Sequence, residues 1–137
     1  MTELEAVEAI YQHWKANWTG CVTFFEGEVG ASSICGWCRL SVVPTLSVQD
    51  ALGPSGARRY QRKLAVYVQI FEPIGGVAKV LQAAHDARAI FEGKTIASTT
   101  AVDPAIDFYQ ANIRAERIDG PWVSRTVEAL CNFYEHK

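Results

Sequence analysis

Residues 59–93 read RYQRKLAVYVQIFEPIGGVAKVLQAAHDARAIFEG, and the rest of the chain is organised around them. Leu64, Val66, Val68 and Ile70 fall on one face at period two and Ala65, Tyr67, Gln69 and Phe71 on the other, so a strand covered at least partly on both faces is expected. Glu72-Pro73 ends its ladder, because proline has no N–H and biases the residue before it away from helix, and Gly75-Gly76 lets the chain reverse. Val77, Val80, Leu81, Ala84, Ala87 and Phe91 then keep helical spacing, with Lys79, Gln82 and Asp86 on the other side and Gly93 as the stop. The expected unit is a helix docked on a sheet, with Val68 and Leu81 meeting across the contact. Nothing in it has the residue types of an active site.

Upstream, Thr2 is a candidate N-cap with Glu5 at the capping-box position, and Leu4, Val7, Ile10, Tyr11 and Trp14 make the stripe of a first helix ending at Asn17. Val22-Thr-Phe-Phe25 suggests a short strand before the turn residues Glu26-Gly27-Glu28. Gly30 to Gly36 reads as a loop, and Trp37 to Val43 alternates as the next strand, which Pro44 ends or marks as an edge. Thr45 to Ala57, with Gly53-Pro-Ser-Gly56, reads as a long connection to the central strand.

Downstream, Thr95 to Ala101 suggests a short strand broken by Asp103-Pro104. Phe108 to Ile118 and Trp122 to Tyr134 then read as two long strands joined by the hairpin chemistry of Asp119-Gly120-Pro121. In the second of these, Val123, Val127, Ala129, Cys131 and Phe133 form the apolar face. The expected order is α-β-β-β-α-β-β-β. It defines an α+β (α/β sandwich-like) single domain over residues 1–137, a mixed, mostly antiparallel sheet flanked by two helices.

Composition narrows the function classes. The 137 residues suffice for one core, and 49% hydrophobic with 20% charged residues excludes wholesale disorder. A net charge of −2 gives no bulk attraction to nucleic acid or an anionic membrane. No apolar run approaches the ~20 residues of a membrane helix, and MTELEAVEAI lacks the basic flank of a signal peptide, so a soluble cytosolic protein with reduced thiols is expected.

Cys35-Gly-Trp-Cys38 is the one motif with the spacing for redox or zinc chemistry. A strand signal follows it where a thioredoxin-like site needs a helix, and no second ligand pair exists for a closed zinc site, since His13, His85 and His136 are scattered. Both thiols are therefore expected to be dispensable. Gly75-Gly76 lacks the spacing and the lysine of a phosphate loop, and no catalytic triad pattern can be read. The basic cluster Arg58, Arg59, Arg62 and Lys63 either contacts a partner's acidic groups or a phosphate backbone, or is a charged strand edge. Trp122, after Gly-Pro, is either a core anchor or an interface anchor.

Taken together, RRYQRKLAVYVQIFEPIGGVAKVLQAAHDARAIFEG and ERIDGPWVSRTVEALCNFYEH, with VTFFEGE after the first helix, resemble the tail-terminator (tail-completion) proteins of long-tailed bacteriophages and related prophage proteins. The likeness runs from the first helix to the last strand and rests on element order and short apolar patterns. It implies a non-enzymatic structural subunit without cofactor or metal, which assembles as a hexameric ring in the bacterial host cytoplasm and resides in the virion tail. Its implied partners are its own copies, the tail tube protein and the head-tail connector, with passing contact to DNA in the ring lumen and none to membrane. Arg58, Arg59, Arg62, Lys63 and Trp122 are the candidate interface residues. Another head-tail joining or tail-tube protein is a first alternative, and a cytosolic thiol-redox or metal-binding domain using Cys35 and Cys38 a second.

Overall fold

The structure, a computed structural model, describes residues 1–28, 36–55, 58–97 and 105–137. Its first helix, α1 (Glu3–Asn17), starts where the capping box placed it: the Thr2 hydroxyl accepts from the Glu5 N–H at 3.2 Å, and the Glu5 carboxylate accepts from the Thr2 N–H at 2.8 Å. Its buried line is Ala6, Ile10 and Trp14, while Leu4, expected on the stripe, is exposed. The strands β1 (Val22–Phe25), β2 (Trp37–Ala51) and β3 (Arg59–Pro73) follow, then helix α2 (Val77–Phe91). The chain closes with β4 (Thr95–Ala97), β5 (Ala105–Ile113), β6 (Arg117–Asp119) and β7 (Trp122–His136).

The strands form one seven-stranded sheet in the order β1-β2-β3-β7-β5-β4, with β6 also pairing on β7. The β1–β2 pair is parallel and every other pair antiparallel, so the sheet is mixed and mostly antiparallel. Two helices and this sheet make a single small domain in which the sheet dominates, a loose fit to the α+β class. Leu64, Val66, Val68 and Ile70 of β3 join the helix residues Ile10, Trp14, Val80, Ala84, Ala87 and Phe91 in one core. Both helices thus lie on one face of the sheet. On the other face Ala65 and Phe71 are also buried, and Trp37 stacks on Phe71 at 4.2 Å and meets Trp122 edge-on at 6.3 Å.

Two expected boundaries are corrected. Thr45 to Ala51 is no connection: β2 runs on past Pro44, with a register shift between Pro44 and Leu46, and only residues 52–58 link it to β3. Among the described residues no strand pairs with β2 on its outer side beyond Leu40, and the Val42 N–H turns that way to donate to the Glu26 carboxylate at 3.4 Å. Backbone groups two residues apart face the same side, so the missing N–H of Pro44 falls on this open edge and breaks no ladder bond. The expected strand Phe108 to Ile118 is split into β5 and β6, which makes the order α-β-β-β-α-β-β-β-β. Between Ile113 and Arg117 the chain takes four steps while the paired residues of β7, Val127 and Ser124, are three apart. That surplus residue forces the backbone off the ladder. The hairpin turn stands as expected, with Gly120 at φ +57° between Asp119 and Trp122.

The helix–sheet contact also shifts by one position. Val68 is fully buried, but α2 presents Val80, Ala84, Ala87 and Ile90 to it and leaves Leu81 half-buried at the margin. Val68→Ala is therefore expected to cost about 2–3 kcal/mol in urea unfolding, and Leu81→Ala about 1 kcal/mol. A larger loss for Leu81 than for Val68 would reverse the assigned helix face.

Candidate assembly surface

The cations that cluster in sequence do not form one patch in space, because a strand sends neighbouring side chains to opposite faces. Arg59 and Lys63 lie on the face of Ala65, whereas Arg62 lies on the helix-covered face with Leu64. Each also has a local partner. Arg59 pairs with Asp50 at 2.6 Å and sits over the Tyr134 ring, and Lys63 lies over the Tyr109 ring at 5.6 Å. Arg62 pairs with Glu135 at 2.9 Å. Arg58, outside the strand, donates its side-chain Nε–H to the Gly53 carbonyl at 2.9 Å and exchanges backbone bonds with Lys137. Trp122 is half-buried at the start of β7 against Trp37.

What the sequence reading missed is the outer edge of β2. Every residue from Val43 to Asp50 is exposed, with Val43, Leu46 and Val48 at 41%, 48% and 46%. The signal was present in Thr45-Leu-Ser-Val-Gln49, which alternates like a strand, but Pro44 was given the weight of a terminator. At 15 residues each, β2, β3 and β7 are about 50 Å long, and β5, at nine residues, leaves part of their length unmatched.

Cys35 lies outside the described residues. Cys38 is fully buried on β2, opposite Thr23 in register, with Thr23 Oγ1 at 3.2 Å from its sulfur. Its thiol bonds to Cys21, and that bond together with burial pushes the Cys38 pKa up, while the same bond lowers that of Cys21. Burial pushes the Cys131 thiol up to about 12. The reactive form of a cysteine is the thiolate, so Cys38 and Cys131 are held as buried neutral thiols. Among the described residues no three His, Cys, Asp or Glu side chains gather as a metal-binding group. His13 contacts the Ile90 carbonyl at 2.8 Å and His85 the Arg88 guanidinium at 3.1 Å, which are structural roles. Among the same residues no helix is long and apolar enough to cross a membrane.

No protein-family model matches the chain, and no curated protein matches it. Among solved structures, one whose designation carries no function is similar over 100% of this chain and 99% of its own, at 15% identity and a TM-score of 0.73. At that identity the likeness shows the fold alone.

Proposed function

We propose that this chain is a structural assembly subunit of a bacteriophage or prophage tail, a terminator that forms a ring on the finished tube, stops its polymerisation and presents a surface to the head connector. The family reading rests on the sequence resemblance. The observation that carries it into the structure is the long exposed edge of β2, uncharged from Val43 to Gln49. A strand edge with free backbone groups and apolar side chains is a surface made to be covered by another chain. The subunit acts by shape and strand complementarity, without a reaction or a cofactor. Its partners are its own copies, the tube protein and the connector, with DNA passing through the lumen.

The test is native mass measurement of the purified protein, alone and after addition to intact tail tubes of its own phage. Six copies on the tube end, together with arrest of tube growth, are expected. Protein that neither self-assembles nor binds the tubes overturns the reading, and binding to a head connector alone would favour a joining protein instead.

A further inference from the structure

The two edges of the sheet are stepped, and the steps are complementary. Following the register across the sheet, Leu46 of β2, Lys63 of β3, Asn132 of β7, Asp107 of β5 and Thr95 of β4 share one row. In this row β4 protrudes at one edge, while at the other edge β2 is outermost and β1 is absent. Lower in the sheet the profile inverts. Phe25 of β1, Leu40, Val68, Val127 and Ile113 share a row, in which β1 protrudes and β5 is outermost on the far side because β4 pairs only with Ala105–Asp107. Each edge therefore projects at the height where the other recedes.

The chemistry of the facing segments agrees with this. Leu46-Ser-Val48 and Thr95-Ile-Ala97 carry no charge, and neither does Val22-Thr-Phe-Phe25, whose step beside Ile113 to Arg117 carries both signs, in Arg114, Glu116 and Arg117. Edge strands that must stay single carry lysine, inward-pointing charge or proline. Among the described residues Pro44 is such a device, in the rows between the two steps where neither edge protrudes, and Asp50 lies beyond Leu46–Val48. The charged residues stand at the ends of these segments: Glu26 and Glu28 follow Phe25, while Arg114, paired with Glu128 at 2.7 Å, Glu116 and Arg117 follow Ile113 toward the row of Val22.

We propose that copies of this chain join edge to edge, with β4 of one copy entering the step beside Leu46–Val48 of the next, and β1 of that next copy entering the step beside Ile113–Arg117 of the first. The contact is heterologous, since the two edges differ, so it propagates from copy to copy and closes only by rotation. Strand directions fix the geometry: β4 and β2 run the same way within one sheet, so two copies in the same orientation pair them parallel, whereas β1 and β5 run oppositely and pair antiparallel. The inference supplies the subunit contact for the ring proposed above and rests on that reading for closure.

Leu46→Cys and Thr95→Cys in one chain test it. Both positions are exposed, on the same face and in the same row, but they stand four strand spacings apart within a copy, beyond the Cα separation of roughly 4.4–6.8 Å that a disulfide spans. Under mild oxidation the double variant is expected to give a ladder of covalent multimers ending at the ring size, while each single variant gives no more cross-linking than the wild type. Covalent dimers from Leu46→Cys alone would mean β2 pairing with β2 and would overturn the proposal. So would a double variant that assembles by native mass but yields no ladder, and that outcome leaves the ring reading standing. A protein that is monomeric both alone and on tail tubes removes the ring reading itself.

Discussion

Phe91→Ala is expected to lower stability by about 3–5 kcal/mol, the range for truncating a fully buried aromatic residue. Phe91 ends α2 at the point where both helices meet the sheet. It has no exposed surface, stacks on Trp14 at 5.9 Å with the planes 10° apart, and lies 4.9 Å from the ring of Phe108. Removing it empties a space bounded by α1, α2 and β5 at once, which no single element can fill by shifting. Against a typical domain stability of about 5–15 kcal/mol this is a third or more of the total, so the urea midpoint should fall steeply while the slope of the transition stays the same. Val77→Ala, on the exposed side of the same helix, should change stability by less than about 0.5 kcal/mol. Equal effects at the two positions would show that Phe91 does not join the helices to the sheet.

The sequence announced those elements whose local chemistry and tertiary role agree. The capping box of α1, the alternation of β3 and β7 and the 3.6-residue period of α2 each survive, because the buried face is the face the pattern marks. Reading failed where the outcome depended on a neighbour. Pro44 terminates a central strand but is harmless on an edge, and whether β2 is an edge at that point depends on β1 stopping at Leu40. The β5–β6 break comes from a residue count against β7 and has no marker of its own. Leu81 and Val80 are adjacent on the helix, so only docking decides which is inside. The partner of Cys38 was equally hidden: the thiol it bonds belongs to Cys21, seventeen positions away and ahead of β1.

The candidate site shows this dependence most clearly. The run Arg58, Arg59, Arg62, Lys63 looked like one basic patch because sequence proximity was taken for spatial proximity, yet period two divides it between faces and each cation already has a partner. The stepped edges could not be read at all before the registers were known, since they follow from where β1 and β4 stop relative to β2 and β5. Assembly tests should therefore avoid Arg62, whose loss acts on the fold first.

Arg62→Glu is accordingly expected to destabilise the protein by about 3–5 kcal/mol, as when one member of a buried ion pair is lost, and not merely to release subunits. The Arg62 and Glu135 side chains are 18% and 11% exposed and 2.9 Å apart, with Lys137 Nζ a further 3.5 Å from the same carboxylate oxygen. The substitution sets two carboxylates against each other across β3 and β7, and the swap Arg62→Glu with Glu135→Arg should recover part of the loss, since the two positions are coupled. The pair also has a pH signature. Burial by itself would raise the Glu135 pKa, but the hydrogen bond and charge of Arg62, with Lys137, outweigh it and hold the carboxyl below its ordinary range. A lowered folded-state pKa means that the unfolded chain takes up the proton first on acidification. The stabilisation is then complete above the unfolded value of about 4.3 and is lost as pH falls through the folded value. Arg62→Met keeps the stem of the side chain without its charge, so the stability difference from wild type, about 1.5–3 kcal/mol at neutral pH, should shrink as the pH drops below about 4. Urea midpoints across that range decide the matter: a difference that stays constant would mean that Arg62 contributes by packing over Tyr60, 5.1 Å from its guanidinium, and not through Glu135.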